Sequence, residues 1–183
     1  MNKELTLWDF RQLMLGGFSL DEVCIMKDAL IEMGFFDAPA STKYHGNHEG
    51  GLFEHSFAVT KALVELTDKL ELKWQDPRSP YLVGMFHDLC KVDSYITNDD
   101  GSIEFNKNMV LTGHGDKSVI YTQHLMALIG SYLTQEEMLC IRWHMGAFDD
   151  KENWNTYNKA IGLYPNVLYT HTADMIASAI RGI

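Results

Sequence analysis

The sequence predicts an all-α protein, a bundle of roughly six to eight helices. Apolar side chains recur at intervals of three or four residues through several segments, which is the period of a helix that is buried on one face. Two capping boxes, Ser19 to Glu22 and Thr134 to Glu137, mark helix starts, because their hydroxyl and carboxylate groups satisfy the free backbone amides of a first turn. Breaks rich in glycine and proline separate the segments.

The length and composition fit one globular domain. The chain has 183 residues, of which 46% are hydrophobic and 22% charged, and this is enough for a sizeable core. The formal net charge of -10 is a poor fit to long nucleic acid, which proteins bind through Lys and Arg. A small anionic substrate remains compatible with it, because a bound cation can reverse the local field.

The sequence indicates neither a membrane nor an oxidising compartment. It has no apolar run of the ~18 residues that suggest a membrane span, and its start lacks the basic-then-apolar order of a signal peptide. Three widely spaced cysteines without a CxxC pair are typical of free buried thiols in a reducing cytosol. We therefore expect a cytoplasmic protein without a membrane partner. The sequence is compatible with a homo-oligomer but does not determine one.

The N-terminal part is predicted to contain two helices and then a long loop. A short helix covers about 5–17, and a second one runs from Ser19 to a stop at Gly34. The loop at 36–51 is long for a compact domain, as binding segments and lids often are. Its two histidines, His45 and His48, either contact a ligand or are solvated, and both interpretations stay open.

The next two helices carry two histidines and an aspartate. The helix at about 52–72 places His55 on its buried stripe, where a hydrogen-bonded core histidine is the simpler interpretation of the residue alone. After a break at 76–80, an apolar helix carries His87 and Asp88. An adjacent imidazole and carboxylate offer two metal ligands, although such a pair also arises by chance.

Two irregular segments are predicted in the C-terminal half. The polar stretch 93–109 contains a turn signal, and residues 103–105 can form one arm of a small hairpin. The stretch 148–164 reads as a loop or short helical turns. Its aromatic residues either line a pocket or cover the core, and we favour the core for Phe148, Trp154 and Tyr157.

The remaining helices carry four more candidate groups. His114 lies at the start of one helix, between two glycines that leave room for the close approach of another group. His144 lies near the end of the next helix. His171 and Asp174 are three residues apart and share a face of the last helix. These helices are predicted at about 112–128, at 134–146 and from 165 onwards.

Six side chains together favour a metal centre: His55, His87, Asp88, His114, His144 and Asp174. Imidazole and carboxylate ligands suit the divalent ions of Mn, Fe, Co, Ni or Zn. Six protein ligands are too many for one catalytic ion with open positions, but they suit two ions that share a bridging Asp and a bridging water. Two ions roughly 3.5–4 Å apart clamp the attacking and leaving oxygens of a phosphoryl displacement, and they lower the pKa of bound water toward roughly 7.

The segments around these ligands resemble the HD-domain superfamily of metal-dependent phosphohydrolases, in its binuclear H…HD…H…H…D subgroup. The matching segments are GGLFEHS at 50–56, FHDLCK at 86–91, GHG at 113–115, WHMG at 143–146 and HTAD at 171–174. The resemblance covers roughly 50–183. It implies a single HD-type helical bundle over 1–183, in which the N-terminal helices and loop of 1–49 pack on the metal-binding core.

The resemblance also implies which residues bind each ion. The ligands of the first ion would be His55, His87, Asp88 and Asp174. The second site would be completed by His114 and His144, with Asp88 as the bridge.

Three residues would act in catalysis by the same resemblance. Asp88 would hold the ions, and Lys91 matches a lysine that reaches the substrate phosphate in several such enzymes. A solvated lysine at a helix end explains Lys91 equally well. His171, one turn before Asp174, would orient a ligand or protonate a leaving group.

The implied activity is hydrolysis of a phosphoester or phosphoanhydride of a nucleotide or another small phosphorylated metabolite, with a metal-bridging hydroxide as the nucleophile. Two positions depart from many relatives, Cys90 in place of Gly and Trp143 in place of His. The GYP signature of cyclic-di-GMP phosphodiesterases is absent. Two alternatives stay open: a di-iron oxygenase with the same six ligands, and a non-catalytic regulatory module that keeps its metals for structure.

Overall fold

The computed structural model describes residues 5–43, 46–98, 100–180 and 182. The all-α prediction is confirmed, because helices dominate these residues and the strands among them form one small hairpin. The α-helices, numbered α1 to α8, span Leu7–Met14, Leu20–Glu32, Gly51–Leu70, Ser79–Phe86, His114–Leu128, Gln135–Arg142, Trp154–Leu163 and Asn166–Met175. Shorter helical segments are the 3₁₀ turns Leu89–Asp93, Gly146–Phe148 and Lys151–Asn153 and the π-helical turn Ile176–Ile180.

The N-terminal helices pack on the rest of the fold through an aromatic cluster. A capping box begins α2, where the backbone amide of Ser19 lies 2.8 Å from Oε2 of Glu22. Phe10 of α1 is fully buried, and its ring centroid lies 6.3 Å from that of Phe53 on α3. These contacts attach α1 and α2 to the centre of the fold. The division of the domain at residue 49 stays a prediction.

Helix α3 is central and packs against both α4 and α8. A glycine allows the closest of these contacts, because a Cβ at Gly84 would lie only 2.5 Å from the Cα of Thr60 on α3. The buried face of α3 also carries His55. The histidine of α3 therefore lies opposite the end of α4, where His87 and Asp88 follow.

The hairpin lies between α4 and α5, as the sequence predicted for residues 103–105. Its strands are β1 (Tyr95–Thr97) and β2 (Ile103–Phe105), which pair antiparallel. The side-chain amide of Asn106 donates to the backbone oxygen of Asp93 over 2.8 Å. This bond holds the hairpin beside the 3₁₀ turn that follows α4.

Two helices end earlier than predicted. Helix α4 ends at Phe86, so His87 and Asp88 lie in the turn after it and not on the helix. Helix α6 ends at Arg142, so His144 also lies beyond its helix. The turns after both helices are as buried as the helices, and the apolar pattern therefore continues past the last helical hydrogen bond.

The segment 148–164 was predicted as a loop or short turns, but α7 occupies most of it. Only Tyr157 and Ala160 are buried on this helix, and so narrow a buried face gives a weak periodic signal. The prediction of core packing is right for Tyr157. It is wrong for Phe148, which is 69% exposed, and for Trp154, which is 40% exposed.

The cysteines are free thiols, with Cys90 and Cys140 buried and Cys24 half-buried. Burial raises the pKa of both buried thiols, that of Cys90 to about 12, so both stay protonated at neutral pH. Among the helices of the described residues, none has the length and apolar character to cross a membrane.

Candidate metal centre

The side chains predicted as metal ligands come together at one buried point of the fold. They are His55 on α3, His87 and Asp88 after α4, His114 at the start of α5, His144 after α6 and Asp174 on α8. Their nitrogen and oxygen atoms form three overlapping groups, and within each group all of the atoms lie within 4.8 Å of one another. The groups are His55–His87–Asp88, His87–His144–Asp174 and Asp88–His114–His144.

The cluster has two halves that share Asp88. In the first half, Nε2 of His55 lies 3.3 Å from Nε2 of His87. In the second half, Nε2 of His114 lies 3.1 Å from Nε2 of His144. The Oδ2 atom of Asp88 lies 3.5 Å from His87, and the Oδ1 atom lies 2.8 Å from His114. The two oxygens thus face different halves, which is what a bridging carboxylate requires.

Backbone carbonyls hold two of the imidazole rings in a single tautomer. The Nδ1 atom of His87 lies 2.9 Å from the oxygen of Gly84, and that of His144 lies 2.7 Å from the oxygen of Ile141. A carbonyl only accepts, so Nδ1 carries the proton in each neutral ring and Nε2 presents a lone pair. Hydrogen bonds of this kind orient histidine ligands in metal sites.

The residues present fit a metal centre, because they bring together oxygen and nitrogen lone pairs without enough hydrogen-bond donors to pair with them. Within the described residues, Oδ1 of Asp88 has no assigned hydrogen bond, although Nε2 of His114 lies 2.8 Å away. Asp88 is 3% exposed, and His87 and His144 are fully buried. Such groups are unfavourable in a dry interior unless they are paired. A divalent cation would satisfy them all, and the donor set suits Mn, Fe, Co, Ni or Zn.

Neighbouring charges keep both aspartates of the cluster ionised. Burial alone would raise the pKa of Asp88, but Lys91 and then His87 hold it well below its usual range. Burial also opposes ionisation of Asp174, yet the hydrogen bond from His55 and the nearby His87 lower its pKa to about 2. Burial lowers the pKa of His87 to about 4. At neutral pH the cluster therefore offers carboxylates and a neutral imidazole, which are the forms that bind metals.

Lys91 lines the cavity next to the cluster and is not a solvated lysine. Its Nζ atom lies 2.7 Å from Oδ2 of Asp88, and its side chain is only 15% exposed. Burial opposes its charge, but contact with the Asp88 carboxylate outweighs this effect and raises the pKa of Lys91. A charged amine is therefore held in the cavity wall, directly beside the cluster.

A close helix contact places His114 beside His144. The residue after His114 is Gly115, and a Cβ there would lie 2.2 Å from the backbone oxygen of Arg142 at the end of α6. The glycine thus lets the start of α5 touch the end of α6. On its other side, Nδ1 of His114 lies 3.2 Å from Sγ of Cys90.

His171 lies beside the cluster and belongs to none of the ligand groups that the described residues form. Its Nδ1 atom lies 2.8 Å from the backbone oxygen of His144. Its ring packs on Gly146, where the φ angle is +55° and a Cβ would lie 2.6 Å from the ring. His171 thereby fixes the turn that carries His144. This contact favours the orienting role over that of a proton donor.

A cavity of about 980 Å³ opens onto the cluster. The two segments 36–51 and 93–109 each contribute to the wall. A further wall comes from 142–153, where the sequence left pocket lining open for Phe148 but favoured the core. An aromatic residue shortly after a candidate ligand, here Phe148 after His144, is the signal that could have indicated this wall.

Of the two histidines in the loop at 36–51, which either contact a ligand or are solvated, His48 lies within the described residues. His48 is exposed, and its Nε2 atom lies 3.4 Å from Oε2 of Glu54, away from the cluster. The solvated interpretation is therefore right for His48. His45 lies outside the described residues.

The buried His/Asp cluster, together with a partial sequence similarity to a phosphodiesterase, suggests a metal phosphohydrolase. The chain is similar to the dihydroneopterin 2′,3′-cyclic phosphate phosphodiesterase of Methanocaldococcus jannaschii, with 35% identity over 71 residues. The matched region is 37% of this chain, and it spans only 28% of the length of that relative. No protein-family model matches the chain, and no solved structure matches it significantly.

That relative is by name a phosphodiesterase of a small phosphorylated metabolite, and this supports phosphohydrolase chemistry in the broad sense. The supported statement is thus coarser than the prediction from sequence. Membership of the HD-domain superfamily, the number of ions and the assignment of individual ligands stay predictions.

Proposed function

We propose that this protein is a metal-dependent phosphohydrolase of the HD-domain type. Its substrate would be a phosphoester or phosphoanhydride of a nucleotide or another small phosphorylated metabolite. The observation that carries the proposal is the buried convergence of imidazoles around Asp88, whose Oδ1 atom has no assigned hydrogen bond within the described residues, at the base of a large cavity. The phosphodiesterase activity of the partial relative supports the reaction class.

Two divalent ions fit the cluster better than one, because the oxygens of Asp88 face different halves. We assign the first ion to His55, His87, Asp88 and Asp174, and the second to Asp88, His114 and His144. When bound, the ions would supply an activated water as the nucleophile and would stabilise negative charge on the phosphate.

The remaining groups of the site bind and orient the substrate. Lys91, beside Asp88, donates to a phosphate oxygen and holds the phosphorus over the cluster. His171 keeps the turn of His144 in place through its backbone oxygen. In the overall reaction water adds to phosphorus, the bond from phosphorus to the leaving oxygen breaks, and that oxygen takes up a proton.

A cyclic phosphodiester is the first substrate to test, because the partial relative is named for a 2′,3′-cyclic phosphate. A cavity of about 980 Å³ has room for a phosphate together with a sugar and a ring. The net charge of -10 disfavours long nucleic acid as a substrate.

The direct test uses the chain loaded separately with Mn²⁺, Fe²⁺, Co²⁺, Ni²⁺ or Zn²⁺. We expect hydrolysis of 2′,3′-cyclic nucleotides or nucleoside monophosphates, and a loss of about a hundredfold or more in Asp88→Asn, because an interaction of several kcal/mol with the transition state is removed. The matched control is Asp68→Asn on the exposed face of α3, which should keep full turnover.

Turnover that survives in Asp88→Asn would contradict the proposal. Oxygen consumption by the Fe²⁺-loaded protein without phosphate release would indicate the oxygenase class instead. A fully metal-loaded protein without turnover on a broad panel of phosphate esters would indicate a regulatory module.

A further inference from the structure

We propose that the outer half of the cavity binds a flat ring with N–H donors, which belongs to the leaving group of the substrate, with Phe148 as the stacking surface and Asp150 as an acceptor. This inference rests on the proposed function, because it concerns the group attached to the phosphate. It narrows the substrate to a class that the metal cluster alone does not select.

The size of the cavity calls for more than a phosphate. Its volume is about 980 Å³, at the upper end of the roughly 300–1,000 Å³ range of pockets that enclose a drug-sized ligand. We take as the inner end the largely buried lining residues Asp88, Asp174 and Lys91, and as the outer end the exposed ones. A phosphate bound there leaves the outer end, near Phe148 and Asp150, for the rest of the molecule.

Phe148 presents an exposed aromatic ring at this outer end. Its side chain is 69% exposed although it lines the cavity, so it is not part of the core. It closes the 3₁₀ turn Gly146–Phe148, and the ring of His171 fills the space in which a side chain at Gly146 would lie. The centroid of the Phe148 ring lies 6.2 Å from that of His171. An exposed aromatic face can stack on a flat ring.

The charged side chains at the outer end of the cavity favour a ligand with hydrogen-bond donors over an anionic ligand. Three carboxylates, those of Asp116, Asp149 and Asp150, face a single guanidinium, that of Arg142. Arg142 is already engaged, since its Nε atom lies 2.8 Å from Asp116 and its Nη1 atom 2.7 Å from Asp149. A second phosphate at this end would meet a negative wall and be repelled.

Asp150 is the one of these three carboxylates that does not contact Arg142. The Oδ1 atom of Asp149 accepts from the amide of Asp150 and from Asn153, and its Oδ2 atom accepts from Arg142. The carboxylate of Asp150 is exposed and has no side-chain partner in the part of the chain that the structure describes. An ionised carboxylate is acceptor-only, so its natural partner is an amino or ring N–H group.

The test compares two substrates that share the reacting group. Guanosine 2′,3′-cyclic phosphate and glycerol 1,2-cyclic phosphate both carry a five-membered cyclic phosphodiester, and only the first carries a ring with N–H donors. We expect the ratio of their kcat/KM values to fall about tenfold or more in Phe148→Ala, mainly through the KM of the guanosine substrate. Phe148→Tyr should keep the wild-type ratio of the two kcat/KM values, and Asp150→Ala should lower this ratio severalfold. The control Tyr132→Ala, an aromatic residue that is 74% exposed and outside the cavity lining, should leave the ratio unchanged.

A binding measurement separates this inference from the proposed function. If neither cyclic phosphate is hydrolysed, calorimetry with guanosine 2′,3′-cyclic phosphate decides the inference alone, whereas turnover on the broad panel of phosphate esters decides the proposed function. A dissociation constant at least about tenfold weaker in Phe148→Ala than in wild type would uphold it. Absent binding, or equal binding by both proteins, would overturn it. An unchanged ratio together with a change of oligomeric state in Phe148→Ala would also overturn it and would assign Phe148 to an interface between copies of the chain.

Discussion

Two imidazole rings of the cluster owe their orientation to backbone atoms close to them in sequence. His87 and His144 each contact the carbonyl three residues earlier, that of Gly84 and that of Ile141. Both histidines follow the end of a helix, where the last carbonyl groups have no partner inside the helix. A helix end thus supplies an acceptor for Nδ1 and turns Nε2 toward the cluster.

Removal of the Lys91 charge should weaken substrate binding without loss of metal. The Nζ atom lies next to Asp88 but is no metal ligand, so Lys91→Met should lower kcat/KM by about tenfold to a hundredfold, the worth of one charged hydrogen bond. Metal content, measured on the same preparation, should stay at the wild-type value. Lys159→Met, on the exposed side of α7, serves as the control. A parallel loss of metal would contradict this role for Lys91.

The metal-free protein should lose stability when the pH falls below about 6.5. Burial lowers the pKa of His87 from 6.5 to about 4 in the folded state, whereas the unfolded chain takes up the proton near 6.5. The stabilisation of the folded state by neutral His87 is therefore complete above pH 6.5 and is lost as the pH falls toward about 4. It amounts to ~3 kcal/mol, at about 1.4 kcal/mol per pKa unit.

Urea unfolding in the presence of EDTA over this pH range measures the effect of His87. In His87→Asn the free energy of unfolding should depend less on pH between about 4 and 6.5. An equal slope in the variant and in wild type would show that His87 is not the group responsible.

The sequence predicts well which single residues can act as metal ligands, but it predicts contacts between distant parts of the fold poorly. The six residues of the cluster follow from residue type, spacing and family resemblance, and the structure brings all of them together. The contact of Cys90 with His114 was not predicted, and for Phe148 the core was favoured over the cavity wall in which it lies. Both depend on contacts between different elements of the fold, which no local pattern contains.

Among the elements of the fold, the two predicted capping boxes differ in what surrounds their carboxylates. Glu22 caps α2 at the surface, whereas Glu137 caps α6 and is fully buried. The Oε1 atom of Glu137 also lies 3.0 Å from Oγ of Ser79 and 3.3 Å from Nε of Arg78. One carboxylate thus connects α6 to the start of α4.

The two boxes should therefore respond differently to the same substitution. Glu137→Ala removes a cap and leaves Arg78 largely buried without its main partner, so we expect a loss of about 3–5 kcal/mol in the free energy of unfolding. Glu22→Ala should cost only about 1 kcal/mol. Urea denaturation of both variants measures the difference. Equal losses would mean that the link from α6 to α4 contributes little.

The elements were predictable where their signals are local. The capping boxes at Ser19 and Thr134 lie at the observed starts of α2 and α6. Helix α7 was missed because only Tyr157 and Ala160 are buried on it. The ends of α4 and α6 were placed too late, since burial continues into the turns that follow. Patterns of apolar residues report burial, and they report hydrogen bonding only indirectly.

At the scale of the whole molecule, the cluster connects helices that are distant in the chain. Its residues come from α3 and α8 and from the ends of α4, α5 and α6, so a bound ion would link most of the bundle. Ions that bind only the folded state stabilise it by about 2.7 kcal/mol at a free concentration of 100 times the dissociation constant.

Addition of Mn²⁺ or Zn²⁺ to the metal-free protein should therefore raise the midpoint of thermal unfolding. The increase should depend on metal concentration and should be much smaller in Asp88→Asn, which lacks the shared ligand. Differential scanning calorimetry measures both proteins. An equal increase in the two would show that the ions bind elsewhere.

The most direct test of a two-ion centre at this cluster is elemental analysis of the metal-supplemented protein. We expect about two ions per chain in wild type and about one in His114→Ala, because His114 belongs to the second half of the cluster only. His124→Ala, an exposed histidine on the same helix, should keep both ions. A single ion per chain that His114→Ala leaves in place, or no bound metal at all, would contradict the account.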